Sequence, residues 1–238
     1  MCGITGIFAA KSQPEREPLI KAMTDTLVHR GPDDEGYYHD ELASLGQRRL
    51  SINDIDGGHQ PILDDSGNLV LVCNGEIYNS PELREELQKQ GYPFKTHTDV
   101  EVILPLYQQY GRDCVRHLRG MFAFAIWDKR DNSVFFARDH MGQKPLFFMP
   151  TEDGLYLGSE VKALLAAEAL PKEIDMTCFW HYISLRFVPD RLTFFKGIEK
   201  LQAGHWGHWR GGDLTVERYW DIDFTQKLSG SVHDIEEQ

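Results

Sequence analysis

The second residue of the chain is a cysteine, in the run Met1-Cys2-Gly3-Ile4. Removal of Met1 would leave Cys2 with a free α-amino group. Such an amine has an ordinary pKa of about 7.7–8.0, and a cysteine thiol has one of about 8.5. Because both groups titrate near neutral pH, the amine can take the thiol proton while the sulfur attacks. The sequence therefore predicts a nucleophile and its base in one residue. The alternative is a small residue that merely follows the start codon.

Attack of a thiolate on an amide carbonyl creates an oxyanion, for which one well-placed donor contributes about 2.7–4 kcal/mol. The segment Cys73-Asn74-Gly75-Glu76 offers two donors, the Asn74 side-chain amide and the Gly75 backbone N–H. This pair predicts an oxyanion hole. Asn-Gly is also a common turn dipeptide, so a simple chain reversal is the alternative.

An α-amino acid substrate would bring a carboxylate and an ammonium group. The arginine fork makes bidentate, charge-assisted bonds to carboxylates, and Arg30, Arg48 and Arg49 are the candidates in the first third of the chain. Arg49 precedes an apolar stretch, so a strand can hold it rigidly. Asp99 lies at a predicted helix start and can bind the ammonium. A solvated arginine and an N-capping aspartate are the alternatives.

The segments that connect these residues are predicted to include both strands and helices. Gly3–Ala10 and Asn68–Asn74 are apolar runs that predict buried strands, the second ending in a turn at Asn74-Gly75. Helical spacing predicts helices over further segments, namely Glu15–Val28, a stretch after Ser80 that ends near Gly91, Asp99–Tyr110, Glu160–Ala167 and Met176–Leu185.

Short aromatic-rich runs separated by polar turns dominate the middle of the chain. They are Gly120–Asp128, Ser133–Arg138, Pro145–Met149 and Leu155–Gly158. Such a series indicates antiparallel hairpins whose two faces are both covered. We therefore predict an α+β fold in which two packed antiparallel sheets lie between outer helices.

Composition narrows the function classes. The chain has 238 residues, 41% of them hydrophobic, and a formal net charge of −12. An acidic chain of this kind is a poor candidate for binding nucleic acid or a membrane surface. We find no targeting signal and no apolar run long enough to span a bilayer, which predicts a cytoplasmic protein. The spacing of the four cysteines favours neither a disulfide framework nor a metal site.

Eight ordered blocks of this chain resemble one known family. They are Cys2–Ile4, His29–Asp33, Arg49–Ile52, Asn74–Asn79, Thr98–Glu101, Gly120–Ala125, Arg138–His140 and Ser159–Leu164. Together they resemble the N-terminal glutaminase domain of glutamine-dependent asparagine synthetases. That domain is a class II amidotransferase with the N-terminal-nucleophile hydrolase fold, a four-layer sandwich. The resemblance runs from Cys2 to about Trp220.

The resemblance implies a role for each matching residue. Cys2 would be the nucleophile that forms a γ-glutamyl thioester, and Asn74 with Gly75 would form the oxyanion hole. Arg49 would bind the glutamine carboxylate, while Glu76 and Asp99 would lie near its α-amino group. Arg30 is expected to support the cysteine. No cofactor and no metal are expected in this chain, whose substrate would be L-glutamine.

The resemblance also implies how the domain is used. Residues 2–220 are expected to form the glutaminase domain, and residues 221–238 a linker and the start of a truncated ATP-dependent synthetase domain. That domain of the same polypeptide would use ATP and Mg²⁺ and take the ammonia for asparagine synthesis. A homodimer is left open. The alternatives are a related synthetase with a non-aspartate acceptor and a non-catalytic glutamine-binding module.

Overall fold

The computed structural model describes residues 1–11, 16–167, 170–189 and 191–225. The predicted linker and domain start at 221–238 therefore lie mostly outside the described residues. None of the helices in the described ranges is long and apolar enough to cross a membrane.

Strands are the most numerous elements in the described residues. In chain order they are β1 (Gly3–Ala9), β2 (Asp34–His39), β3 (Ala43–Arg49), β4 (Ile62–Leu63), β5 (Leu69–Ile77), β6 (Gly120–Asp128), β7 (Ser133–Arg138), β8 (Phe147–Thr151), β9 (Gly154–Gly158), β10 (Glu199–Lys200), β11 (His205–Arg210) and β12 (Asp213–Arg218). The α-helices are α1 (Arg16–Asp25), α2 (Ser80–Lys89), α3 (Ile103–Tyr110), α4 (Val161–Leu165) and α5 (Met176–Leu185). Two 3-10 helices, Asp99–Val102 and Gly111–His117, flank α3.

The strands form two six-stranded sheets whose pairings are antiparallel. The first has the order β10-β8-β9-β1-β3-β2, and the second has the order β12-β11-β7-β6-β5-β4. Apolar side chains of both sheets make up one core between them; Ile4 and Phe8 of the first sheet lie there with Val72 and Trp127 of the second. The predicted hairpins are confirmed, with β6 at the centre of the second sheet.

Helices cover the outer face of each sheet. Ile7 of β1 packs with Ile20 and Met23 of α1 in one outer core. On the opposite side, Cys73 of β5 packs with α2 and α3 through Leu87 and Leu104. The resulting order is helix, sheet, sheet, helix, which confirms the predicted α+β sandwich. Period-2 alternation along β1 and β5 explains it, since successive side chains enter different cores.

The structure differs from the sequence predictions in one place that bears on the site. The expected turn at Asn74-Gly75 is wrong, because β5 continues to Ile77 and pairs with β6 up to Gly120. Glycine is required there for a steric reason. A β-carbon at Gly75 would lie 2.5 Å from the Met121 carbonyl oxygen. Asn74 and Gly75 are therefore held by a sheet rather than by a mobile turn.

Helix α5 lies on the surface with most of its apolar side chains exposed. Cys178 is its buried residue. Large apolar side chains exposed along and beside it are Ile174, Met176, Phe179, Trp180, Tyr182, Ile183, Leu185 and Phe187. Exposed apolar patches of this extent mark interaction surfaces.

Candidate active site

A pocket of about 470 Å³ contains most of the residues singled out from the sequence. Six of the seven predicted site residues line it: Cys2, Arg49, Asn74, Gly75, Glu76 and Asp99. They come from both sheets and from the 3-10 helix that precedes α3. Arg30 is the seventh, and it contacts Cys2 from outside the pocket lining.

Cys2 immediately precedes β1 and lies next to the end of β3. The Leu50 backbone N–H donates to its Sγ at 3.4 Å, and the Leu50 carbonyl oxygen is 3.8 Å from the same sulfur. Met1 still precedes Cys2, lines the pocket and is 56% exposed. The sulfur is thus positioned by backbone, and Met1, whose removal is part of the prediction for Cys2, is accessible.

Behind Cys2, an ion-pair cluster holds its main chain. Arg30 Nε donates to the Cys2 carbonyl oxygen at 2.9 Å, and its guanidinium also contacts Glu160 at 2.8 Å. His29 and Lys162 contact the same carboxylate. Burial alone would raise the pKa of Glu160, but hydrogen bonds from Arg30, His29 and Lys162 outweigh it and lower the pKa to about 2. The cluster anchors Arg30 and, through it, Cys2.

The Glu160→Gln variant tests this cluster through the pH dependence of stability. Because the folded-state pKa is depressed, the contribution of the carboxylate is present above about pH 4.5 and is lost as the pH falls toward 2. We expect E160Q to have a shallower decline of unfolding free energy across this window, measured by urea denaturation. E85Q, which alters the exposed Glu85–Lys89 pair, is the control and should keep the wild-type slope. Equal slopes in E160Q and wild type would contradict the assignment.

Asn74 combines deep burial with an unused donor. The residue is 1% exposed, and its Nδ2 has no hydrogen-bond partner in the part of the chain that the structure describes. Buried polar groups are nearly always paired, so an unpaired amide requires an explanation. An oxygen that arrives with a substrate would supply the partner.

Arg49 is held at the edge of the same pocket and is 4% exposed. Its Nη2 donates to the carbonyl oxygens of Asn53 and Asp54, each at 2.7 Å, and its Nη1 donates to that of Ile55 at 3.2 Å. Three of its five donors are thus engaged, and two are left for a ligand. The loop after β3 therefore fixes the direction of the guanidinium.

Asp99 and Glu76 supply the negative charge of the pocket. Asp99 is buried; its Oδ2 accepts from the Ile77 backbone N–H at 2.6 Å, and its Oδ1 accepts from Asn53 Nδ2 at 3.1 Å. These bonds tie the carboxylate to the end of β5. Glu76 is an exposed residue at the rim. The N-capping alternative for Asp99 is not seen, because Thr98 occupies the cap position of this 3-10 helix.

The structure also brings to the pocket residues that sequence reasoning missed. Asn53, Gln60, Cys73 and Lys144 line it. Cys73 N–H donates to Gln60 Oε1 at 2.6 Å, and burial raises the pKa of the Cys73 thiol. Lys144 lies in the turn between β7 and β8, where only its place after the matching Arg138–His140 block could have drawn attention. Across the described ranges no group of three potential metal ligands occurs.

Comparison with known proteins agrees with this geometry. The family model of the glutamine amidotransferase domain matches residues 1–220. The chain belongs to this family. It is 42% identical over 228 residues to the glutamine-hydrolyzing asparagine synthetase 1 of Bacillus subtilis strain 168, covering 94% of this chain and 36% of that protein. Asparagine synthetase 3 of the same organism is 37% identical, covering 98% of this chain and 39% of the relative.

A solved structure supports the fold of this amidotransferase domain. The glutamine phosphoribosylpyrophosphate amidotransferase of B. subtilis superposes with a TM-score of 0.68 at 20% identity, covering 92% of this chain and 49% of the other. At this identity the likeness concerns the fold alone. The chain spans less than two fifths of the length of the two B. subtilis asparagine synthetases.

Proposed function

We propose that this amidotransferase domain hydrolyses the side-chain amide of glutamine to glutamate and ammonia. One observation carries the proposal. The Cys2 sulfur and the unpaired buried amide of Asn74 line the same pocket, together with an arginine and an aspartate suited to an amino acid's charges. The family match supports it.

The reaction follows from the groups in the pocket. After Met1 is removed, the Cys2 amine takes the thiol proton and the sulfur bonds to the amide carbon. Asn74 Nδ2 and the Gly75 N–H stabilise the oxyanion. The carbon–nitrogen bond then breaks, and the amine returns the proton so that ammonia leaves. Water attacks the thioester, which releases glutamate and restores the thiol.

The α-carboxylate and α-ammonium of glutamine are assigned to the charged residues of the pocket. The two remaining Arg49 donors would bind the α-carboxylate, and Asp99 with Glu76 would bind the α-ammonium. Arg30 acts as a positioning residue, since it contacts the Cys2 carbonyl and not the pocket. The domain responsible is proposed to be residues 2–220.

The Arg49→Lys variant tests the carboxylate assignment. We expect KM for glutamine to rise by about 10- to 100-fold with kcat little changed, because a lysine ammonium lacks the planar, fixed set of donors that the carbonyl groups of the loop orient. The neighbouring R48K variant is a matched control. Arg48 pairs with Asp25 and Glu35 away from the pocket, so its KM should stay near the wild-type value.

A substrate analogue sharpens this test. Glutamine α-amide lacks the carboxylate, so wild type should prefer glutamine strongly and R49K only weakly. An undiminished preference in R49K would show that Arg49 does not bind the carboxylate.

We further propose that the ammonia serves an ATP-dependent synthetase region of the same polypeptide, which makes asparagine. The greater length of the B. subtilis relatives and their names as asparagine synthetases support this. The exposed apolar face of α5 supports a packed partner region, since Trp180 is 63% exposed. ATP and Mg²⁺ would act only in that region. A cytoplasmic location and a homodimer stay predictions.

Two experiments separate this proposal from its alternatives. Ammonia release from glutamine by the chain distinguishes an enzyme from a non-catalytic binding module, which would bind glutamine without releasing ammonia. Amide-labelled glutamine, ATP and aspartate, given to the full-length polypeptide, should yield labelled asparagine. Label transfer only to another acid would instead indicate a related synthetase with a different acceptor.

A further inference from the structure

Lys144 is a cation of the pocket lining whose side chain is mostly buried. The residue is 7% exposed and lines the pocket with Cys2 and Asn74. Among the described residues, its ammonium makes no hydrogen bond and no ion pair. An ammonium that lines a pocket and has no counter-ion among the described residues is available to a negative charge that forms there.

The backbone of Lys144 is anchored on both sides. Its N–H donates to Asp139 Oδ2 at 3.0 Å, and its carbonyl oxygen accepts from Arg138 Nε at 2.6 Å. Asp139 is fully buried and also accepts from the N–H of Phe122, the residue that pairs with Gly75 in the sheet. The backbone of Lys144 is thus fixed next to the strand pair that carries Asn74 and Gly75.

The charges of the pocket change when the reaction begins. The charged residues that line the pocket are Arg49, Glu76, Asp99 and Lys144. Zwitterionic glutamine brings a carboxylate, assigned to Arg49, and an ammonium, assigned to Glu76 and Asp99. The lining charges and the zwitterion therefore balance before the reaction starts. A further negative charge forms during the reaction, first on the sulfur of Cys2 and then on the oxyanion, and Lys144 is the lining cation that has not been assigned to the substrate.

The thiol of Cys73 lies within electrostatic reach of both Lys144 and Cys2. The pKa of Cys73 is raised mainly by burial, and the charges of Asp99 and Cys2 raise it further while that of Lys144 lowers it. The Lys144 charge therefore acts within the same small region as the Cys2 sulfur.

We propose that Lys144 supplies the fixed positive charge that stabilises the Cys2 thiolate and the oxyanion formed from it. The same charge disfavours protonation of the Cys2 amine, which keeps that amine available as a base. Lys144 would thus favour both reactive forms of Cys2 at neutral pH. The inference rests on the proposed function for its reaction, but the reactivity of the thiol tests it separately.

The test is the pH dependence of Cys2 alkylation by iodoacetamide, followed by mass spectrometry on chain lacking Met1. We expect K144M to raise the midpoint of this profile by about one pH unit, because removal of a nearby cation destabilises the thiolate. K144R should keep the wild-type midpoint. K129M is the matched control, since Lys129 is exposed and donates to the Gly67 carbonyl away from the pocket.

Steady-state kinetics give the second readout. We expect K144M to lower kcat by about tenfold with KM nearly unchanged, and K144R to restore most of kcat. If K144M does not fold, K144Q takes its place in both measurements. A midpoint equal to that of wild type in a folded, uncharged variant would overturn the inference.

The two proposals fail in distinguishable ways. A shifted alkylation midpoint in a chain that releases no ammonia would remove the proposed function and leave the electrostatic role of Lys144. Ammonia release with an unshifted midpoint in K144M would remove the role of Lys144 and leave the proposed function.

Discussion

Replacement of Cys2 with alanine is expected to lower glutamine hydrolysis by about four orders of magnitude or more. In the proposed reaction the sulfur is the atom that bonds to the substrate, so its removal abolishes the thioester route. Ammonia release, measured with a coupled glutamate dehydrogenase assay, gives the rate. KM is not interpretable in such a variant, so glutamine binding is measured by calorimetry and should persist.

A cysteine from the same pocket provides the matched control. Cys73 also lines the pocket, but it is fully buried and its thiol pKa is raised by burial. We expect C73A to keep most of the activity and to lose some stability, because Cys73 packs in the core between β5 and the helices. Iodoacetamide should label Cys2 in wild type, and glutamine should protect it.

Two results would contradict the role of Cys2. One is wild-type turnover in C2A, and the other is an activity lost in C73A and kept in C2A. Retention of Met1 on a fully active preparation, seen by mass spectrometry of the intact chain, would remove only the argument that the Cys2 amine is the base.

Replacement of Asn74 with alanine is expected to lower kcat by about 100- to 1,000-fold with little change in KM. In the proposed reaction the amide donates to an oxygen whose negative charge exists only along the reaction path, so substrate binding in the ground state loses little. The free energy of unfolding should fall less than it would for a buried asparagine whose side-chain amide is hydrogen-bonded. The unpaired Nδ2 costs about 1–3 kcal/mol in the resting protein, and the substitution removes it.

The Asn53→Ala variant is the matched control for this pair of readouts. Asn53 lines the same pocket, but its amide already donates to Asp99 Oδ1. We expect N53A to raise KM through Asp99 and to change kcat much less. Thermal unfolding gives the stability of N74A and N53A, and steady-state kinetics give their kcat and KM. A loss of stability in N74A with kcat unchanged would contradict the oxyanion role.

Much of the fold was predictable because it depends on local patterns. Alternating and continuous apolar runs predicted β1, β5 and the hairpins of β6 to β9, and helical spacing predicted α2 and α5. Strand β2 was not predicted, because Asp34–His39 is polar and half-exposed and so lacks an apolar signal. The prediction of a turn at Asn74-Gly75 was wrong because β6 pairs with β5 as far as Ile77. Long-range strand pairing overrode the local turn preference.

The site was predictable in its residue types and less so in its contacts. A cysteine after the initiator methionine, an asparagine beside a glycine and an arginine beside an apolar stretch all indicate chemistry by type and spacing. Lys144 carries no such signal, since an isolated lysine before a proline is ordinary. Its importance comes from burial in a pocket whose other lining residues lie far away in the chain.

By itself, the sequence determined the family resemblance and predicted the nucleophile and the donors, because reactivity and local order depend on residue type and short-range spacing. Only the tertiary structure decided that Asn74 is buried with an unpaired amide, that three carbonyl groups orient Arg49, and that Lys144 reaches the pocket of Cys2. These facts arise where the two sheets meet, and contacts between distant segments set which polar groups are paired and which remain for a substrate.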